Sequence, residues 1–540
     1  MIAQGANWLI VSWGWRRFLI AFLMGALLAL TQAPVFFIPA LFIALPIFVL
    51  LMDSVGVARD DGRQTVFWSA FSLGWWFGFG YFLAGLWWIG FAFLVDAEQF
   101  AWLLPFAIVL MPAGLALFWA LGVAIARKVL WSNSAIRIAA LAVGLGIAEI
   151  ARAHLFTGFP WNALGLALMP HPIAMQSAAF VGLEGMTVLA VLIGASPVVL
   201  IKLGQKRFLS TQDRSIVGLA VVLCLVHVGL GGVRLATSDV QAFDGVQLRV
   251  VQPAIPQHEK WLPEKRGEVF NRYLELSDRA VSPEHPGLDT VTHLIWPEAA
   301  FPFLLTEEPG AVAALAALLP DQTTLIAGAI RKDPASGTAS DTFYNSVYAI
   351  GSNGEILASY DKVHLVPFGE YLPFQSTLES LGLRQVTQLK GGFAAGPDYR
   401  AISSVAGTPP FLPLICYEIL FSREARLAAG QASWIVNVTN DAWFGDSPGP
   451  RQHLHLSQIR AVVDGLAVVR AANTGISAVI DPYGRITDRL ALGVSGVIDA
   501  SLPQPIGTAP PAANYALMIS IVLIAMLIFS SLIIHKYSSG

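Results

Sequence analysis

Charged residues are scarce in this chain of 540 residues. Charged side chains make up 13% of the sequence and hydrophobic side chains 55%, whereas a soluble domain carries about 25% charge. The mean hydropathy is +0.62, which excludes a chain that is soluble throughout. The net charge of −3 offers no basic surface, so a nucleic-acid partner is not expected.

Cysteine is equally rare, and the two cysteines lie in contrasting surroundings. Cys224 falls in an apolar run, and Cys416 falls in a much more polar region. A disulfide bond between them is therefore not expected, which excludes a fold stabilised by disulfides. Each thiol needs its own explanation, and we interpret Cys224 as a core thiol of the apolar part.

The distribution of charge divides the chain into three parts. Residues 1–237 are apolar stretches separated by short charged connections, as in a membrane bundle of about seven spans. Residues 238–505 have the composition of a water-soluble α/β domain, and residues 506–540 contain a last stretch without charge. The predicted fold is therefore a membrane α-helical bundle, an α/β domain and a closing transmembrane helix with a short tail.

A helix needs about 20 apolar residues to cross the hydrocarbon core of a bilayer. We interpret the first apolar stretch as a retained span rather than a secretory signal peptide, because no small-residue cleavage site is clear. The sequence then predicts about eight spans: Phe18–Thr31, Val35–Leu51, Phe67–Leu94, Ala101–Ala126, Ile136–Ala151, Ile173–Ile201, Val217–Val233 and Ala513–Ile534.

The basic residues of the short connections predict the orientation of these spans. Arginine and lysine cluster before the first span and after the second, fourth and sixth, while Val95–Gln99 contains Asp96 and Glu98 and no basic residue. Because basic loops tend to stay in the cytoplasm, both termini are predicted to be cytoplasmic. Residues 238–505 are then predicted to lie outside the cytoplasm.

Three residue types suited to acyl chemistry follow predicted strands of the α/β domain: Glu298, Lys362 and Cys416. A carboxylate can take the proton of a thiol, and an ammonium group can stabilise the oxyanion that forms when the thiolate attacks a carbonyl. Taken singly, they could equally be a surface glutamate at a turn, a solvated lysine and a buried core thiol.

The stretches around these residues resemble the nitrilase superfamily, whose Glu-Lys-Cys triad lies on an αββα sandwich. Over nearly its whole length the chain resembles the bacterial apolipoprotein N-acyltransferase family within it. The motifs that carry the resemblance are Trp296-Pro297-Glu298, Tyr360-Asp361-Lys362, His364–Glu370, Ile415-Cys416-Tyr417-Glu418, Asn440–Gly445, Ile255-Pro256-Gln257 with Lys260-Trp261, and Gly158–Trp161.

The resemblance implies a role for each matching residue. Cys416 would be the acylated nucleophile, Glu298 the general base and acid, and Lys362 an oxyanion stabiliser. The remaining residues would support the site or bind substrate: Glu370, the backbone N–H of Tyr417, Glu418, Asn345, Trp261 and Trp161. The two tryptophans could instead be interfacial anchors. The chain departs from the family at Asp464, where a glutamate is usual.

The resemblance also implies the reaction and its setting. A fatty acyl chain would pass from a phospholipid, through a thioester on Cys416, to the N-terminal amine of a diacylglyceryl-cysteine in an apolipoprotein. The enzyme would lie in the bacterial inner membrane with its catalytic domain in the periplasm. The sequence contains no metal-ligand cluster or glycine-rich phosphate loop, so no cofactor or metal is expected. A monomer is expected because a site supplied from the lipid needs no partner subunit.

Two alternatives remain open at the level of sequence. A membrane-tethered amidase of the nitrilase type would use the same three residues with water as the second nucleophile, although one span would suffice to anchor it. A transporter carrying a soluble binding domain would need charged residues along a path through its spans. Such residues are nearly absent from the predicted spans.

Overall fold

The structure of the chain is a computed structural model. The structure describes residues 9, 14–55, 63–131, 136–205, 211–283, 286–334, 341–380, 382, 385–387, 391–403, 408–421 and 424–507. Among these residues the chain forms two compact units. One unit contains the residues up to Gly90 and those from Pro105 to Thr237, and the other contains Phe91–Leu104 and the residues from Ser238 onward.

Apolar helices make up the first unit. They are α1 (Trp15–Ala29), α2 (Pro39–Asp53), α3 (Arg63–Leu86), α5 (Leu104–Val129), α6 (Ile136–His154), the short α7 (Pro172–Met175), α8 (Ala178–Ala195) and α9 (Thr211–Ala236). The short helix α4 (Ala97–Phe100) lies between α3 and α5 in the chain and belongs to the second unit. Helix α8 is kinked at Gly182, whose φ is 65°. Stretches of 3-10 helix extend α3 over Trp87–Leu94 and α8 over Ser196–Gln205.

Small residues let these helices approach closely, as is common in membrane bundles. A Cβ atom on Gly25 would lie 1.9 Å from the carbonyl oxygen of Phe77, and one on Gly122 would lie 2.3 Å from that of Gly144. Other parts of the unit expose apolar side chains: Leu225 on α9 is 67% exposed. Such a surface is suited to lipid rather than to water.

Four helices in the described part of the chain are long and apolar enough to cross a membrane: Thr65–Leu94, Ala97–Val129, Ala178–Ile201 and Asp213–Ala236. They correspond to the third, fourth, sixth and seventh predicted spans. The first, second and fifth predicted spans are helical, as α1, α2 and α6. The eighth, Ala513–Ile534, lies outside the described residues, so the count of eight stays a prediction.

One expectation for the first unit is wrong: Cys224 is exposed on α9 and is not a core thiol. Arg152, in the last turn of α6, is buried and pairs with Glu149 in the same helix, and Trp119 Nε1 donates to Glu149 at 2.6 Å. Arg152 also donates to the carbonyl oxygen of Trp161 at 2.8 Å. The pair therefore fixes the Trp161 backbone instead of leaving a free charge in a helix.

The second unit contains a six-stranded sheet in the order β11-β1-β2-β3-β4-β5. Strands β1, β2 and β3 run parallel, and the remaining neighbours pair antiparallel. The strands are β1 (Ala242–Gln252), β2 (His293–Trp296), β3 (Thr324–Asp333), β4 (Thr342–Ile350), β5 (Ile356–Asp361) and β11 (Gly496–Pro503). Strands β1 to β5 coincide closely with short apolar runs of the sequence.

A second sheet has five strands in the order β10-β9-β8-β7-β6. Strands β6, β7 and β8 run parallel, and β9 and β10 continue the sheet antiparallel. The strands are β6 (Phe411–Ile415), β7 (Trp434–Thr439), β8 (Ala467–Ala472), β9 (Ala478–Ile480) and β10 (Ile486–Arg489). The parallel strands are fully buried, as expected when both faces of a sheet are covered.

The two sheets pack face to face, and helices cover their outer faces. Val250 and Ile326 of the first sheet share a buried core with Val436 and Val469 of the second. The helices that follow β1 in this unit are α10 (Arg266–Ser277), α11 (Pro309–Leu318), α12 (Gln375–Ser380), α13 (Arg426–Ala429) and α14 (Pro448–Asp464). Helices α10 and α11 pack on the first sheet, and α13 and α14 pack on the second. This is the αββα arrangement that the resemblance implied.

One helix is shorter than the sequence pattern predicts. The apolar pattern indicates a helix over Arg451–Val469, but α14 ends at Asp464. Gly465 follows with φ 68°, a left-handed conformation that favours glycine and ends helices. The residues beyond it form β8, which joins β7 and β9 in the second sheet. The apolar run of β8 suits a buried strand as well as a helix, so sequence alone does not separate them.

Candidate active site

The three candidate residues all lie just beyond strands of the sandwich. Glu298 follows β2, Lys362 follows β5, and Cys416 follows β6 as the first residue of a 3-10 turn. Cys416 has φ 51°, and Ala299, next to Glu298, has φ 48°. Such left-handed backbone is unusual outside glycine and is often found at functional sites.

The Glu298 carboxylate is held by neutral donors on both oxygens. Asn345 Nδ2 donates to Oε1 at 2.7 Å, and the backbone N–H of Asn440 donates to Oε2 at 2.9 Å. Lys362 Nζ lies 3.9 Å from Oε1. Burial raises the pKa of Glu298, and Glu370 adds to this rise while Lys362 opposes it. A carboxylate with a raised pKa is a stronger base.

Glu370 is the closest partner of Lys362. Lys362 Nζ lies 3.0 Å from Glu370 Oε1 and 2.8 Å from Oε2. Asn345 Nδ2 also donates to Glu370 Oε1 at 2.8 Å, so this one amide bridges Glu298 and Glu370. Burial disfavours the charged lysine, but Glu370 and Glu298 raise the pKa of Lys362 above its ordinary value. Lys362 is therefore a fixed cation at neutral pH.

Cys416 is partly buried, and its sulfur interacts with Glu298, Lys362 and the Thr439 side chain. Burial and the Glu298 charge raise the pKa of the thiol well above its ordinary value, although Lys362 lowers it. The resting group is therefore a neutral thiol. Nucleophilic attack then requires a base to remove the proton, and the Glu298 carboxylate is the group suited to that task.

Glu418 ties the Lys362 segment to the Cys416 segment. Its Oε1 accepts from the backbone N–H groups of Val363 at 2.7 Å and His364 at 3.1 Å. Its Oε2 accepts from the N–H of Ile415 at 2.8 Å. Burial raises the pKa of Glu418 to about 7, even though these N–H groups favour the charged form. The side chain holds backbone on both sides of the site.

A buried hydrogen-bond network contacts the backbone carbonyl of Cys416, and the sequence did not predict it. His453 Nε2 lies 3.1 Å from the carbonyl oxygen of Cys416, and His453 Nδ1 lies 2.9 Å from Asp441 Oδ1. Arg470 donates to Asp441 Oδ2 at 2.6 Å. Burial alone would raise the pKa of Asp441, but Arg470 and His453 lower it to about 2. Asp441 follows β7 just as Glu298 follows β2, and that position was the signal available in the sequence.

Sequence reasoning also missed Lys260 as a site residue. Lys260 is fully buried and donates from Nζ to the backbone carbonyl oxygen of Glu298 at 3.0 Å. Burial lowers the pKa of Lys260 to about 8, although Glu298 opposes the shift. Gln257, on the same loop, accepts from Asn440 Nδ2 at 2.6 Å. The loop is therefore attached to Glu298 both directly and through Asn440.

The remaining predicted residues lie in different places. Trp261 is 42% exposed and neighbours Lys260 in the second unit. Trp161 belongs to the first unit, where it is buried with its ring centroid 5.1 Å from that of Trp88. Tyr417 directly follows Cys416, and its ring centroid lies 5.8 Å from that of His364.

Two further segments lie next to the site. In the described part of the glycine-rich segment 390–396, the N–H of Phe393 donates to Glu370 O and that of Gly396 donates to Lys362 O. Asp464, the departure from the family, pairs with Arg460. Among the described residues, no group of three or more His, Cys, Asp or Glu side chains is arranged to hold a metal ion.

The fold and the residues at its strand ends define a carbon-nitrogen hydrolase domain joined to a bundle of apolar helices. Residues 248–509 match the family model described as carbon-nitrogen hydrolase, and residues 24–196 match the apolipoprotein N-acyltransferase N-terminal domain. The second match covers most of the helical unit, which distinguishes the chain from a carbon-nitrogen hydrolase domain alone.

Relatives extend this similarity over almost the whole chain. A protein of Rhodopseudomonas palustris named apolipoprotein N-acyltransferase is 46% identical, with 97% of this chain and 98% of the relative covered. Proteins of the same name from Bradyrhizobium diazoefficiens and Brucella suis biovar 1 are 47% and 45% identical over 96% and 94% of this chain, and the match covers 96% and 93% of those proteins. The chain belongs to the apolipoprotein N-acyltransferase family.

Proposed function

We propose that this protein transfers a fatty acyl chain from a phospholipid to the N-terminal amine of a diacylated apolipoprotein. The proposal is supported by family membership over nearly the whole chain. It is also supported by the charges around Cys416, since Glu298 and Lys362 both interact with its sulfur. A thioester stores acyl reactivity without a nucleotide, which suits a reaction between two lipid-anchored substrates.

In the first half-reaction, Cys416 Sγ attacks the ester carbonyl of the phospholipid. The Glu298 carboxylate takes the thiol proton, and the negative charge on the carbonyl oxygen is stabilised by Lys362 Nζ and the N–H of Tyr417. The C–O bond then breaks, and Glu298 returns the proton to the departing lysophospholipid alkoxide. Cys416 is left as a thioester.

In the second half-reaction, the amine of the diacylglyceryl-cysteine attacks the thioester carbonyl. Glu298 takes a proton from the amine, the same two donors stabilise the oxyanion, and the C–S bond breaks. The proton returns to the Cys416 sulfur, and an amide is released. Glu298 therefore alternates between base and acid, as its raised pKa allows.

The setting of the reaction is also part of the proposal. We propose about eight transmembrane helices with the catalytic unit in the periplasm, at the inner membrane of a bacterium. The proposal is supported by the four long apolar helices of the described chain and by the predicted charge asymmetry of the connections. The domain boundaries at residues 237/238 and 505/506 remain predictions.

Mass spectrometry of the full-length protein, incubated with a phospholipid that carries one labelled acyl chain, tests the reaction. We expect an acyl adduct on Cys416 that hydroxylamine removes and that disappears when a diacylated lipopeptide is added. The Cys416→Ala variant should carry no adduct, whereas the matched control Cys224→Ser should keep it. Release of ammonia from small amides, without any acyl adduct from phospholipid, would favour the amidase alternative instead.

A further inference from the structure

The carbonyl oxygen of Cys416 is bound by two buried side chains that are not part of the Glu298, Lys362 and Cys416 group. His453 Nε2 lies 3.1 Å from this oxygen, and Asn437 Nδ2 donates to it at 3.5 Å. Asn437 belongs to β7 and His453 to α14, so two separate elements converge on one carbonyl group. Both side chains are completely buried.

Arg470 and Asp441 fix these two donors in turn. Arg470 donates to Asn437 Oδ1, which orients the Asn437 amide so that its Nδ2 faces the Cys416 backbone. His453 Nδ1 lies 3.1 Å from Arg470 Nη2 and 2.9 Å from Asp441 Oδ1. Buried ring and amide groups held on both sides have little freedom to reorient.

The proton on His453 Nε2 follows from its partner. A carbonyl oxygen can only accept a hydrogen bond, so Nε2 must donate to Cys416. Burial and Arg470 lower the pKa of His453, which favours the neutral ring at pH 7. In that ring the proton on Nε2 lets Nδ1 accept from Arg470 Nη2 at 3.1 Å, whereas the Asp441 carboxylate, 2.9 Å from Nδ1, favours a second proton there. A charged ring would also carry a proton on Nε2, so the donor to Cys416 is present in both forms.

The carbonyl group of Cys416 and the N–H of Tyr417 belong to the same planar peptide group. In a trans peptide these two groups point in opposite directions, so fixing the oxygen fixes the direction of the N–H. A hydrogen bond to the carbonyl also polarises the peptide, which makes its N–H a stronger donor. Cys416 has φ 51°, so this peptide is held in a strained backbone conformation that needs support.

We propose that His453 is a positioning residue that, through the Cys416 carbonyl, aims the N–H of Tyr417 at the oxyanion. Asn437 assists it, and Asp441 and Arg470 hold both donors. The inference rests on the proposed function, because it assigns the Tyr417 N–H to the oxyanion of acyl transfer. It adds a set of hydrogen bonds to the backbone carbonyl of Cys416 that need not contact the substrate.

Two reactions of Cys416 separate this role from a general structural one. Acylation by phospholipid passes through an oxyanion, whereas alkylation by iodoacetamide is a direct displacement without one. In the full-length protein, His453→Asn should slow acylation by about 10- to 100-fold, less than the about 10²- to 10³-fold found for outright loss of one oxyanion donor, because the N–H of Tyr417 is retained but less well aimed. Its alkylation rate should stay within about threefold of the wild type, because Glu298 and Lys362 are unchanged.

A conservative variant provides the rescue. The side-chain nitrogen of glutamine reaches the position of Nε2, whereas that of asparagine reaches only the position of Nδ1. His453→Gln should therefore restore acylation to within about tenfold of the wild type, while His453→Asn does not. Gln458→Ala is the matched control on α14, since Gln458 donates to the Gly484 carbonyl oxygen in a distant turn. It should leave both rates unchanged.

Each outcome decides between the role and its competitors. Equal acylation by His453→Asn and the wild type would overturn the inference and leave the proposed function intact. A parallel fall in acylation and alkylation, or equal rates for the Gln and Asn variants, would reduce His453 to a structural residue and also overturn it. A wild-type protein that is alkylated but never acylated would instead remove the proposed function, and the inference with it.

Discussion

Two buried charged clusters interact with Cys416, one at its thiol and one at its backbone carbonyl oxygen, and they differ in how their carboxylates are neutralised. On the thiol side, Glu298 and Glu370 share Lys362, and Glu370 has the closer contact, at 2.8 Å against 3.9 Å. On the carbonyl side, Asp441 pairs with Arg470 at 2.6 Å and shares this cation with no second carboxylate of the cluster. Both clusters are buried, so the difference between them is one of charge balance.

The pKa values follow this balance. Burial raises the pKa of Glu298, with Glu370 adding to the rise. Burial also acts on Asp441, yet Arg470 and His453 bring its pKa down to about 2. The thiol-side cluster therefore holds a carboxyl group suited to exchanging a proton, and the carbonyl-side cluster holds one that stays ionised. The thiol-side cluster is therefore suited to proton transfer, and the carbonyl-side cluster is suited to fixing the backbone of Cys416.

The largest expected effect comes from replacing the shared cation of the thiol-side cluster. Lys362→Met should slow acylation of Cys416 by at least about 10²- to 10³-fold, because one oxyanion donor is lost and two carboxylates are left facing each other. Lys362→Arg should fail as well, since a planar guanidinium does not replace a compact ammonium group. Single-turnover labelling with phospholipid measures both; wild-type rates in Lys362→Arg would show that only the charge matters.

The carbonyl-side cluster should respond in stability. Asp441→Asn leaves the buried Arg470 without its counter-ion, so it should lower the free energy of unfolding by about 3 kcal/mol. Because the pKa of Asp441 is lowered to about 2, its stabilisation is present above the unfolded value of about 4 and is lost as the pH falls towards 2. Thermal unfolding in detergent at several pH values measures this, and the variant should lose the pH dependence in that window.

The exposed pair of Lys265 and Glu268 supplies the control for that experiment, with Nζ 2.7 Å from Oε2. Glu268→Gln should leave the unfolding temperature unchanged, since exposed ion pairs contribute little. A fall in the unfolding temperature for Glu268→Gln as large as that for Asp441→Asn would contradict the distinction between buried and exposed pairs.

The pH dependence of acylation tests the charge balance of the thiol-side cluster directly. Glu298 must be ionised to act as a base, so kcat/KM should fall as the pH drops through its raised pKa. Glu370→Gln removes the neighbouring charge that raises this pKa, so the acid limb should move to lower pH. A limb that stays in place in Glu370→Gln would show that Glu370 does not control the proton affinity of Glu298.

The thiol-side cluster could be predicted from the sequence, and the carbonyl-side cluster could not. Glu298, Lys362 and Cys416 each follow an apolar run, and the motifs around them carry the family resemblance. The contacts of His453 with Asp441 and Arg470 join helix α14 to the turn after β7 and to strand β8. Nothing in the local pattern marks a histidine within a helix as the partner of a distant carbonyl group.

The end of helix α14 and the burial of Lys260 also could not be predicted from the local sequence. The apolar residues of β8 continue the pattern of α14, so only the left-handed Gly465 separates them in the structure. Lys260 stands in a polar loop sequence that predicts an exposed side chain, yet it is fully buried beneath Glu298. Burial of a charged group depends on partners that lie far away in the sequence.

The smallest expected effect concerns this lysine, which supports the thiol-side cluster from the backbone of Glu298. Lys260→Met removes one hydrogen bond to the Glu298 carbonyl oxygen, but Asn345 and the Asn440 N–H still hold the carboxylate. The kcat for acylation should therefore fall by about tenfold or less, as expected for ~1 kcal/mol. The KM for phospholipid should not change, because the carboxylate side of Glu298 is untouched. Lys265→Met, on the same loop but exposed, is the matched control and should leave kcat unchanged; an equal fall in both variants would mean that the loop, and not the Lys260 contact, supports Glu298.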